Sequence, residues 1–119
     1  VPISRLAECV TETQADLANS GLIGPIVGHV GDGNFHVALL VDGGDPGEIA
    51  ATEKFLSRLA ERAIGMGGTC TGEHGVGQGK MKYLVEEHGA PALAAMRAIK
   101  RALDPDDIMN PGKLVPADL

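Results

Sequence analysis

Two histidines, His29 and His36, stand on either side of Gly31-Asp32-Gly33-Asn34, and a third, His74, follows Glu73 inside the glycine-rich run Gly72–Gly79. Imidazole and carboxylate are the side chains that ligate divalent metals and move protons near neutral pH. The first pair is set by a hairpin signal, Asp32-Gly33 between the β-like runs 25–30 and 35–41. With Asp32 and Gly33 as the central turn residues, position 29 faces position 36, and their Cβ atoms stand roughly 5 Å apart. Two imidazoles so placed converge on one metal ion, and Asn34 falls on the same face. The register carries this reading, because a slip of one residue turns a strand over. Two exposed polar groups are the plain alternative. At Glu73-His74, successive side chains of an extended segment point to opposite sides, so one can ligate while the other reaches a reacting group. His29, His36 and Glu73 together leave an open metal position, the pattern of a catalytic site suited to Zn²⁺, Mn²⁺ or Fe²⁺.

Other chemistries fail on inspection. A phosphate loop of the form G-x-x-x-x-G-K-[ST] needs glycine and Ser or Thr where His74 and Met81 stand, and G-x-G-x-x-G fails at Lys80. No G-x-S-x-G occurs and neither cysteine adjoins a histidine. His88 reads as a surface group at a helix end.

The elements that must position these residues are legible as patterns. Ile3, Leu6, Val10 and Leu17 mark a helix over residues 3–19 that stops at Gly21. In the hairpin, Ile26, Val30, Phe35, Val37, Leu39 and Val41 share the face away from the histidines. Thr52, Leu56, Leu59 and Ala63 line a helix over 47–65, a short strand is expected at 68–72, and a short helix at 81–87. Leu93, Met96, Ile99 and Leu103 give a last helix over 91–103, closed by Asp104 before Pro105. The order α-β-β-α-β followed by helices predicts an α+β fold, a ferredoxin-like antiparallel sheet without its opening strand. With 10 basic and 16 acidic residues the net charge is −6, which argues against nucleic acid as a partner. No apolar run reaches membrane-spanning length, and Arg5, Glu8, Glu12 and Asp16 interrupt any signal-like start. Cys9 and Cys70 read as small buried hydrophobes of a reducing compartment.

Three segments, Gly28–His36, Gly72–Gly77 and Asn110-Pro111-Gly112-Lys113, together resemble the C-terminal domain of FAD-linked oxidases of the vanillyl-alcohol-oxidase-like superfamily. Thr71–Gly77 with Gly79-Lys80, Tyr83-Leu84, Met96–Lys100 and Leu103-Asp104-Pro105 is similar to the cytochrome-type D-lactate dehydrogenase branch. Glycolate oxidase flavin subunits and D-2-hydroxyglutarate dehydrogenases share the first two motifs. The resemblance implies an FAD enzyme oxidising D-2-hydroxy acids, with a quinone or cytochrome as electron acceptor. It implies that His29, His36 and Glu73 hold a divalent metal, that His74 acts on the substrate hydroxyl, and that Asn34 lies near metal or substrate. Asn110 and Lys113 would belong to a tail beside the flavin, although a simple turn explains them equally well. Ala38 stands where the hydroxyglutarate enzymes carry asparagine, which favours a smaller monocarboxylate such as lactate.

Neither a dinucleotide fingerprint nor an arginine outside the predicted helices occurs in the 119 residues. Residues 1–119 are therefore expected to be a cap or substrate-domain fragment, with the FAD-binding domain and the substrate-carboxylate clamp upstream of Val1. The fragment alone is expected to bind no FAD and to be inactive. The parent would be cytoplasmic or peripheral to the inner membrane, and apolar surface left by the missing domain would favour homo-oligomers. A metal-dependent hydrolase using Glu73 as base and a non-enzymatic metal-binding module are the other classes compatible with the motifs.

Overall fold

Helix α1 (Ile3–Ser20) forms because Leu6, Cys9, Thr13 and Leu17 recur at helical spacing and are buried together on one face. The buried Thr13 hydroxyl is satisfied within the helix, donating to the Cys9 carbonyl at 2.7 Å. Gly21 ends the helix in the left-handed conformation at φ 68°. The expected stripe of Ile3, Leu6, Val10 and Leu17 is thus rotated: Ile3 is exposed, and Cys9 and Thr13 take the inner positions. Helix α2 (Pro46–Gly65) starts where the Asp45 carboxylate accepts from the Gly47 and Glu48 N–H groups at 2.7 and 3.3 Å. Its inner face is built on Phe55 and Ala60, while Leu56, expected inside, faces out.

Residues 1–115 are described by this computed structural model, whose chain falls into two compact units, Val1–Gly72 and the part from Glu73 onward. In the first unit, α1 and α2 pack on one another. Asp16 of α1 takes Arg58 at 2.7 Å and Arg62 at 2.8 Å, and Arg62 also donates to Thr13 Oγ1 at 3.0 Å. The core cluster is Leu17, Leu22 and Phe55, with Ile26, Val37, Leu39, Ala51 and Leu59 packed against it. Strands β1 (Ile26–His29) and β2 (Asn34–Val37) make a two-stranded antiparallel sheet, extended by an isolated bridge between Ile23 and Leu40.

The second unit holds a 3₁₀ turn at Met81–Tyr83, helix α3 (Leu84–His88) and helix α4 (Ala90–Leu103), with α3 packed on α4. Leu84 and Leu93 are fully buried. Ile99 and Leu103, read from sequence as part of the inner stripe of α4, are 60% and 79% exposed. The class is α+β, as the element pattern predicts. Residues 68–72, however, carry no strand. There Thr69 Oγ1 accepts from the Thr71 N–H at 3.3 Å, and Gly72 turns left-handed at φ 55°. The polar backbone is satisfied locally, which competes with a ladder.

Candidate metal centre

The hairpin sets the geometry of the histidine pair. Its strands are joined by a 3₁₀ turn over Val30–Asp32 and by Gly33 at φ 69°, so the connection takes four residues rather than two. Gly33 is confined: a Cβ there would lie 2.1 Å from the Val1 carbonyl oxygen, and Val1 N donates to the Gly33 carbonyl at 2.9 Å. The longer connection shifts the register by two positions. His29 faces Asn34, and His36 faces Val27, in place of the expected direct opposition of His29 and His36.

A shift of two preserves the face, because the side-chain period of a strand is two. His29, Asn34 and His36 therefore still stand on one side of the sheet, with the histidines as diagonal neighbours. Their ring centres are 6.1 Å apart and their planes are inclined at 87°. On the other side, Ile26 and Val37 join the core, as expected. Val30 lies in the turn and is exposed, and so is Val41. Gly28 matters by its lack of a side chain, since a Cβ would sit 2.4 Å from the Asn34 carbonyl oxygen. Two imidazoles on one tetrahedral ion have ring centres about 5 Å apart, given metal–nitrogen bonds of about 2 Å. The pair, at 6.1 Å, stands about 1 Å wider than that.

Glu73 is bonded to Gly72, whose own Cβ position would lie 3.1 Å from Asn34 Oδ1 within the first unit. Glu73 and His74 open the second unit as exposed residues, with His74 Nε2 3.8 Å from Glu73 Oε1. Gly75 and Gly77 turn left-handed at φ 78° and 52°. The tail makes the expected turn: the Lys113 N–H donates to the Asn110 carbonyl at 3.3 Å, and Gly112 is left-handed. Leu114 N–H then donates to the Gly77 carbonyl at 2.8 Å, tying the tail to the His74 loop. His88 closes α3 on the surface, 3.6 Å from Glu87.

Sequence reasoning missed Asp104, read only as a helix stop. Its carboxylate is buried, pairs with Lys100, and accepts from the Ile108 and Met109 N–H groups. The signal was present as a Lys–Asp pair four residues apart. Both cysteines are buried, as expected. All five arginines lie on helices, Arg5 on α1, Arg58 and Arg62 on α2, and Arg97 and Arg101 on α4. No helix among the described residues is long and apolar enough to cross a membrane.

Comparison with known proteins agrees with these motifs. The "Probable D-lactate dehydrogenase, mitochondrial" of Danio rerio is 51% identical over 97% of this chain and 23% of its own length. The "D-lactate dehydrogenase [cytochrome], mitochondrial" of Arabidopsis thaliana is 47% identical over 98% of this chain and 20% of its own. The "Glycolate oxidase subunit GlcD" of Bacillus subtilis is 38% identical over 99% of this chain and 25% of its own. The chain thus spans a fifth to a quarter of these relatives. A family model described as FAD linked oxidases, C-terminal domain, matches residues 1–114, and the chain belongs to that family.

Proposed function

We propose that this chain supplies the divalent-metal ligands and the catalytic base of an FAD-dependent D-2-hydroxy acid dehydrogenase acting on a small monocarboxylate such as D-lactate. The observation that carries the reading is the pair His29 and His36, held on one sheet face with ring centres 6.1 Å apart. The family resemblance adds the Glu73 carboxylate to these two imidazoles as a third ligand of a divalent metal. Asn34, opposite His29, places an amide beside them. The relatives named for D-lactate support the substrate class, and those named for cytochrome support a cytochrome as acceptor.

A divalent ion held by His29, His36 and Glu73 would supply Lewis acidity toward the hydroxyl of a 2-hydroxy acid. FAD, when bound, would supply the redox chemistry. The work of this chain is to hold the acid in one pose and to move one proton. His74, exposed beside Glu73, accepts the hydroxyl proton at an imidazole nitrogen. With no dinucleotide fingerprint and every arginine on a helix, we assign the flavin cradle and the carboxylate clamp to parts of the protein outside these residues.

Elemental analysis and turnover test the assignment together. His29→Ala and His36→Ala should each cut bound metal roughly tenfold. His74→Ala should keep the metal and lower kcat of the flavin-loaded enzyme roughly 10²–10⁴-fold. Near-normal turnover in His74→Ala would remove the base, and full metal occupancy in both ligand variants would remove the metal site. The 119-residue chain alone should show no flavin absorbance, and stoichiometric flavin there would refute the assignment of the cradle elsewhere.

A further inference from the structure

The segment after α4 is organised by a buried carboxylate. Asp104 leaves 8% of its side chain exposed and accepts from Lys100 Nζ, from the Ile108 N–H at 3.0 Å and from the Met109 N–H at 2.8 Å. Lys100 Nζ also donates to the Met109 carbonyl at 2.7 Å and lies 3.0 Å from Asp107 Oδ1. The ammonium group beside it holds the Asp104 carboxyl below the usual carboxylate range. One lysine and one aspartate thus bind both ends of the same short turn.

The segment from Asp107 to Leu114 is strained. Asp107 and Asn110 both sit at φ 50° and Leu114 at φ 69°, three residues with side chains in the left-handed region. For a leucine this conformation crowds Cβ against the backbone, and it persists only where the surroundings over-determine it. What it achieves is visible in the next contact: the Leu114 N–H reaches the Gly77 carbonyl at 2.8 Å. Gly77 lies three residues after His74, in a loop otherwise braced inside this unit by the Lys80 N–H to Val76 carbonyl bond at 3.1 Å.

We propose that Asp104 is a positioning residue: with Lys100 it fixes the tail so that Leu114 anchors the far end of the loop carrying His74. The inference rests on the reading of His74 as the base and adds how that base is kept in place. Asp104 acts only through the loop.

Asp104→Asn and Lys100→Gln in the flavin-loaded enzyme test it. Each should lower kcat roughly tenfold to a hundredfold, the scale of a small misplacement of a reacting group, with KM for the hydroxy acid little changed. In a His74→Ala background, Asp104→Asn should produce no further fall. Backbone hydrogen exchange should quicken in residues 73–80 as well as 106–115, and stay unchanged in α1. An equal fall in both backgrounds would overturn the proposal, and so would faster exchange confined to 106–115. If His74→Ala itself keeps turnover, the base assignment fails, while the exchange measurement still decides whether Asp104 holds the loop. Should Asp104→Asn fail to fold, Lys100→Gln carries the same readouts.

Discussion

Replacing Gly28 by alanine should unlock the hairpin and disperse the histidine pair. Gly28 faces Phe35 across the ladder. An added Cβ would stand 2.4 Å from the Asn34 carbonyl oxygen, 2.6 Å from Phe35 Cα and 2.8 Å from Phe35 Cβ. Ordinary carbon contacts need about 3.5 Å or more, so β2 must retreat by about 1 Å. Two of the three opposing atoms are backbone, so no rotamer change relieves the clash. Overpacking of this kind costs about 1–3 kcal/mol, and loosening a four-residue ladder adds about 1 kcal/mol, giving about 2–4 kcal/mol. At a urea m-value of about 1.5 kcal/mol/M, the unfolding midpoint should fall by about 2 M. Bound metal should fall with it, because His29 and Asn34 flank the point of collision. Gly31→Ala is the control: nothing lies within 4 Å of its added Cβ, so the change should stay within about 0.5 kcal/mol. A Gly28→Ala protein with the parental midpoint and full metal occupancy would refute the steric argument.

The ion pair between α1 and α2 gives a second test. Arg58 first, then Arg62, hydrogen-bond Asp16 and draw its carboxyl from the usual 3.8 to about 2. A shift of that size corresponds to about 2.5 kcal/mol, and Arg58 is 43% exposed, so about 1–2 kcal/mol remains after solvent screening. Because the folded value is the lower one, this stabilisation is present above pH 4 and drains away as pH falls toward 2. Asp16→Asn should therefore lose stability at pH 7 and match the parent near pH 2, read by urea titration at both. An undiminished gap at pH 2 would exclude the charge as its origin. For the cysteines, burial is the main influence pushing the Cys9 thiol above its usual value, and both side chains are inside. A thiol reagent should modify the native chain roughly a hundredfold slower than the denatured chain, and equal rates would contradict the burial.

Much of the site was legible because its signals are local. Asp32-Gly33 between β-branched runs announces a hairpin, and period-two alternation puts His29, Asn34 and His36 on one face whichever even register is adopted. The pairing itself was not legible. The sequence does not show that Gly33 would close under the Val1 carbonyl, which stretches the turn to four residues and moves the histidines from opposite to diagonal. Phe55 was overlooked as a core residue for the same kind of reason. Helical periodicity on α2 admits several faces, and only the packing of α1 and the sheet selects the one around Phe55 and Ala60.

Residue order by itself determined the helices bounded by Gly21 and Asp45, the α+β class, the turn at Asn110–Lys113, and the three motifs that mark the family. These follow from capping, periodicity and glycine conformation, which act over a few residues. Tertiary structure decided the register of the histidines, the inner stripe of α1 and the loss of a strand at 68–72. It also decided the use of Asp104 to tie the tail toward Gly77. Each of these depends on which distant backbone or side chain arrives alongside, and a local pattern carries no record of that.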